Sequence, residues 1–157
     1  MVPNTEISTQ QLEAVTNLLS IILANQVTLY TKIRKFHWNL NKESFIELHK
    51  LFIRLYTELE LSIDKTAEHT GTLGVKTIGT MEEFLKLTSI KEHPNKYPTS
   101  TQMIEELLEN NETMILELRK AITLCLEKHK DISTANFLTS LKLSHEATTW
   151  TLKKYLN

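Results

Sequence analysis

All three glycines, and two of the three prolines, fall between Gly71 and Pro98. Pro3 apart, the chain on either side of that window carries no residue that breaks a helix. Such scarcity favours long helices over sheets and argues against disorder. Leu12, Val15, Leu19, Ile22, Gln26, Leu29, Ile33 and Phe36 recur at a helical period, so a first helix is expected to about Trp38. Its start has the form of a capping box, Ser8-Thr9-Gln10-Gln11. After a turn at Asn39 to Lys42, Ser44 and Glu47 repeat that spacing. A second helix should run from there to about Thr70, ended by Gly71 and Gly74. Its inner face reads Phe45, Leu48, Phe52, Leu55, Leu59, Ile63 and Ala67. Leu51 and Tyr56 lie off that stripe, and a helix apolar on two sides packs against a partner chain as well as its own core.

Val75 to Pro98 reads as a long crossover broken by Gly79, Pro94 and Pro98, with a short helix at Met81 to Leu87. Thr99 to Gln102 offers another capping box. The helix after it should reach about Lys128, with Met103, Leu107, Met114, Leu118, Ile122 and Cys125 on one face and Asn110 and Asn111 weakening its middle. A last helix is expected from Ser133 to Tyr155. The division is a short tail over residues 1–7 and one all-α domain over 8–157.

Composition excludes more than it assigns. A formal net charge of −1 provides no basic field to attract nucleic acid. One cysteine, Cys125, allows no intrachain disulfide, fits a reducing cytoplasm and reads as inert core. The first residues do not read as a signal peptide, and no apolar run approaches the roughly 18 residues of a membrane span. No Glu is followed by His three residues later, so the paired Glu-x-x-His motifs of a metal site inside one bundle are missing. His-Glu-x-x-His, a phosphate-binding glycine loop and a Gly-x-Ser-x-Gly elbow are missing too.

The chemistry concentrates between Lys35 and Gly74. His37 and His49 flank the first turn, and Asp64 and Glu68 follow at a spacing that puts both on one helix face. Imidazole with carboxylate suits iron or another transition metal. Each has a plainer reading: His37 capping carbonyls at a helix end, His49 merely exposed, Asp64 and Glu68 a solvated face beside Lys65. Geometry then adds a constraint. His49 and Asp64 are fifteen residues apart on one helix, roughly 22 Å along its axis. Metal bonds are about 2 Å long, so these residues cannot share a metal within one chain. Two copies of the helix packed antiparallel, and centred between Thr57 and Glu58, would bring His49 to Asp64 and Glu68 of the partner subunit. Two-fold symmetry then makes two equivalent sites per dimer.

The same stretch resembles the Dps family of small ferritin-like proteins. The shared pattern is Phe36-His37-Trp38-Asn39, then Phe45-Ile46-Glu47-Leu48-His49, Leu55-Tyr56, Asp64-Lys65-Thr66-Ala67-Glu68 and Leu73-Gly74. His145-Glu146-Ala147-Thr148-Thr149-Trp150 is similar to the family's closing helix, so the resemblance spans nearly the whole chain. It implies a ferritin-like four-helix bundle with a short extra helix in the crossover, and the long connection between the second and third helices is what such a bundle needs. It further implies a hollow dodecamer of two-fold dimers that oxidises Fe(II) with hydrogen peroxide, or more slowly with dioxygen, and stores ferric oxide. His37 is then the neutral nitrogen ligand, and Asp64 and Glu68 of the partner subunit supply oxygens, Glu68 binding directly. His49 holds a second iron or its bound water, and Trp38 stands beside the site, as an interface aromatic or as a sink for a stray oxidising equivalent.

One position departs from the pattern. The family carries Asp or Glu four residues after the second histidine, and this chain has Ile53. Glu60, one turn before Asp64 on the same face, is the candidate to compensate, because the two-fold pairing brings it near Ile53 of the partner subunit. Direct DNA binding is not expected, since residues 1–10 contain neither Lys nor Arg and the C-terminal Lys153 and Lys154 fall on a helix. The alternative function is a structural or nucleoid-associated shell whose oxidation site has weakened at Ile53.

Overall fold

The computed structural model describes residues 7–157, so most of the expected N-terminal tail lies outside it. Long helices form where no breaker interrupts the apolar period. They are α1 (Thr9–Trp38), α2 (Phe45–Thr72), the short α3 (Met81–Leu87) in the crossover, α4 (Ser100–Thr123) and α5 (Ile132–Leu156). The expected four-helix bundle with an extra crossover helix is the fold the chain adopts.

Caps explain most of the helix starts. The Ser8–Gln11 and Thr99–Gln102 boxes close reciprocally on α1 and α4. Ser44 makes no side-chain cap, and a 3-10 turn at Lys42–Ser44 leads the chain into α2 instead. Thr80 and Glu83 form a reciprocal box on α3 that the sequence reading passed over. The α5 cap is Asp131, which accepts the Thr134 amide at 2.9 Å. Gly71 stays within α2, and the chain leaves that helix at Gly74, whose φ of 79° favours a residue without Cβ. After Thr123, α4 widens into a π turn at Leu124–Lys128 rather than continuing as α-helix.

Two apolar clusters fill the bundle. One joins Leu29, Ile33, Phe36, Phe52, Leu107 and Met114 at the end where α1 meets α2. The other joins Val15, Leu19, Ile22, Leu118, Cys125 and Leu138 at the opposite end. Burial pushes the Cys125 thiol up to about 11, so it stays protonated. By length and composition α1 is apolar enough to cross a membrane, which corrects the expectation that no stretch approaches that limit. Half of its most apolar window is buried inside the bundle, as befits a core helix.

Three expectations about particular residues are overturned. Leu51 is buried in the chain's own core, so it does not mark an interface, and Phe45, assigned to the inner face, is half exposed. Asn110 and Asn111 do not weaken α4. Both are buried, and both are partnered. Asn110 Oδ1 accepts from Lys32 Nζ at 2.8 Å, and the same ammonium donates to the Lys91 carbonyl at 2.6 Å, tying α1 to α4 and to the crossover. Glu106 lies 3.5 Å from that ammonium, a partner for a charge that burial disfavours.

Asn111 Nδ2 donates to the Leu107 carbonyl, which leaves its Oδ1 to accept from His145 Nδ1 at 2.8 Å. His145 is therefore held as the neutral tautomer protonated on Nδ1. Gln26, level with this pair by the register of the helices, is fully buried with no protein partner for either amide atom. The middle of the bundle is thus a neutral polar layer between two apolar ones. Among the described residues the only buried carboxylate is Asp131, at the start of α5.

Burial lowers the His145 pKa from 6.5 to about 4. Above the unfolded value neither state takes the proton, and stability is complete. As pH falls between those two values only the unfolded chain binds it, so stability drops by up to about 3 kcal/mol and then levels off. Urea unfolding followed from pH 7 to pH 4 should show this loss, and His145→Gln should flatten the slope over that window.

Candidate metal centre

His37 sits on the last turn of α1 and His49 on the first turns of α2. The short connection folds the helices back on each other, and the two imidazole rings meet with centroids 4.2 Å apart and planes tilted by 39°. Phe45 packs 4.8 Å from the His49 ring, and Tyr56 presents an edge to His37 at 5.5 Å. Two imidazoles stacked this closely between aromatic walls are poorly placed to carry two positive charges. The pKa of His37 is accordingly lowered, first by burial, then by His49 and by the Arg34 guanidinium. The neutral ring is the form that offers a lone pair to a metal. His37 Nδ1 is buried and has no protein hydrogen-bond partner. An imidazole pair with one nitrogen left unsatisfied fits a transition-metal ligand set.

The carboxylates are elsewhere. Helix α2 is continuous from Phe45 to Thr72, so the fifteen-residue interval from His49 to Asp64 remains straight helix. Asp64, Glu68 and Glu60 are exposed along its outer face. Among the described residues no group of three or more His, Cys, Asp or Glu side chains converges within one chain. The structure brings His37 and His49 together, and it leaves Asp64 about 22 Å and Glu68 about 28 Å away along the helix axis. Their outer face also carries Ile46, 74% exposed, Leu61, 58% exposed, and Ile53, 36% exposed. Ile53 stands one turn beyond His49 on this face, where a carboxylate would have reached the imidazoles. Trp38, 68% exposed, flanks His37.

Sequence reasoning missed the cation beside the site. The Arg34 guanidinium carbon lies 4.3 Å from the Tyr56 ring centroid, 5.6 Å from that of Trp38 and 5.7 Å from that of Tyr30. Tyr30, Arg34 and Trp38 are spaced by four, so one helix face carries all three and the signal was available. A groove lies on a different face of α1, between the crossover and α4. There about 760 Å³ is lined by Lys32, Lys35, His93, Tyr97 and Glu106 among others. The Lys32 and Lys35 ammonium groups are spent there on crossover carbonyls, and neither His37 nor His49 lines the groove.

A family model described as a ferritin-like domain matches residues 16–157. An uncharacterised low temperature-induced protein of Nostoc is 36% identical over 153 residues, covering 98% of this chain and 86% of its own. The DNA protection during starvation protein of Brevibacillus brevis is 34% identical over 149 residues, covering 95% of this chain and 97% of its own. Among solved structures, a Dps protein from Bacillus brevis superimposes with a TM-score of 0.90 at 32% identity, covering 96% of this chain and all of its own. A Dps protein from Vibrio cholerae, described as one of the ferritin-like diiron-carboxylate proteins, does so at 0.91 and 28% identity, covering 100% of this chain and 98% of its own. With an all-helical fold, a crossover helix and a histidine pair at the α1–α2 turn, the chain belongs to the ferritin-like family and, within it, to the Dps proteins.

Proposed function

We propose that this protein stores and detoxifies iron, oxidising Fe(II) at sites shared between two copies and holding the ferric product inside a closed homo-oligomeric shell, a dodecamer built from two-fold dimers. The observation that carries the reading is the His37–His49 pair at 4.2 Å, with His37 Nδ1 unsatisfied, on a chain whose Asp64 and Glu68 lie too far along α2 to reach it. A second copy of α2, antiparallel to the first, supplies Asp64 and Glu68 of the partner subunit to the pair. His37 then binds Fe(II) through neutral nitrogen, and the carboxylates offset the charge gained on oxidation. His49 serves a second iron or its water. Hydrogen peroxide takes two electrons and Fe(II) gives one, so two Fe(II), one peroxide and two protons yield two Fe(III) and two waters. A lone iron would release hydroxyl radical.

One observation favours a second reading. Ile53 is exposed on the site's face where a carboxylate belongs, which suits a structural or nucleoid-associated shell with a weakened oxidation site. Its nucleoid form finds little support in a formal net charge of −1, and a gel shift at two salt concentrations tests it.

The decisive assay loads the assembled protein with Fe(II) anaerobically and adds peroxide at half the iron concentration beside a radical trap. Fast ferric absorbance at two irons per peroxide, with little trapped radical, supports the paired site. Slow oxidation with radical yields like those of free iron would move the shell reading to first place. A redox-inert probe reads binding alone. In a Trp150→Phe background, cobalt(II) should quench the emission of Trp38, and His37→Ala or Glu68→Ala should each abolish the quenching. Quenching that survives Glu68→Ala would remove the partner carboxylate from the site.

A further inference from the structure

Arg34 carries a permanent charge three residues before His37, and its guanidinium is held over Tyr56 at 4.3 Å with Trp38 and Tyr30 on either side. Aromatic faces attract a cation but do not neutralise it. Among the described residues, no carboxylate of the same chain lies within ion-pair distance of Arg34. A bare cation here would repel an incoming Fe(II) as it repels a proton. The arrangement therefore needs an anion that one chain does not provide.

Glu60 is the matching half. It is exposed on the outer face of α2 and, among the described residues, has no cationic partner, whereas its neighbour Glu58 lies 3.9 Å from Arg54. Tyr30 packs against Tyr56 and His37 against His49, so α1 and α2 run antiparallel; the Arg34 backbone is level with Phe52, and its side chain reaches back to set the guanidinium over Tyr56. In a two-fold pairing centred between Thr57 and Glu58, Tyr56 faces the turn of the partner helix that carries residue 60. We propose that Arg34 is a positioning residue whose guanidinium takes Glu60 of the partner subunit as its counter-ion, one such pair at each of the two sites. The inference rests on the inter-subunit reading above. It gives Glu60 the task of cancelling the charge beside His37 rather than binding iron, and it locks the tyrosines and Trp38 around the site once the second copy arrives.

A charge-swap cycle tests it, with a cross-link to keep the two readings apart. Thr57 lies exposed at the centre of the expected pairing, so Thr57→Cys should join two chains through a short bis-maleimide, while buried Cys125 stays unreactive. Arg34→Glu and Glu60→Arg should each weaken dimer association and cobalt(II) affinity about tenfold, and the double swap should recover both to within about threefold. The recovery should shrink at high salt, which a packing defect would not cause. Should the reversed charges prevent folding, Arg34→Gln and Glu60→Gln give the same cycle, the double costing no more than either single. A cross-link that forms while the double variant is as weak as the worse single overturns the Arg34 pairing and leaves the shared site standing. No cross-link at Thr57→Cys overturns both.

Discussion

The unbroken length of α2 is the constraint on which the site depends. A straight helix from Phe45 to Thr72 holds His49 and the Asp64–Glu68 pair at opposite ends of a rigid rod. No rotamer shortens that rod, because helical rise is fixed by backbone hydrogen bonding. The chain therefore carries its histidine pair at one end of α2 and its exposed Asp64–Glu68 pair near the other. Self-complementary halves on one face are what a two-fold axis can join. The short turn at Lys42–Ser44 matters for the same reason, since it sets His37 against His49 before any second copy is present.

The inside of the bundle accounts for what does not happen there. Ferritin-like carboxylate sites within a bundle need inward Glu and Glu-x-x-His groups from facing helices. This chain places Gln26, Asn111 and His145 in its middle layer, all neutral. A divalent cation in that layer would face no buried negative charge, and desolvating it there would cost more than amide and hydroxyl oxygens return. The Asn111–His145 bond instead serves specificity, joining α4 to α5 at one register. Lys32 does comparable work between α1, α4 and the crossover.

Local signals in the chain were readable to different depths. The α1 stripe from Val15 to Phe36 is buried throughout, because a long period of apolar residues has one way to be satisfied. Caps were less dependable. Ser44 has the right spacing to Glu47 yet no cap, since a preceding 3-10 turn sets its backbone. Asn110 and Asn111 looked like weak points because propensity scores a residue alone. Their partners, Lys32 and His145, come from other helices and are far away in sequence. Leu51 and Phe45 exchanged places for a related reason: the period says which residues share a face, and only the neighbouring helix says how far that face is covered.

By itself, the sequence determined the helices, the long crossover, the bundle and which side chains have the chemistry to hold a metal. Breakers, periodicity and residue chemistry are local properties, and each can be read without knowing what lies opposite. The tertiary structure alone decided how those groups meet. The 4.2 Å approach of His37 to His49, the unsatisfied Nδ1, the Arg34 guanidinium over Tyr56 and the neutral layer around His145 all depend on the register between helices. Register is set by the sum of many side-chain contacts between segments distant in sequence, and no single stretch of the chain contains that sum.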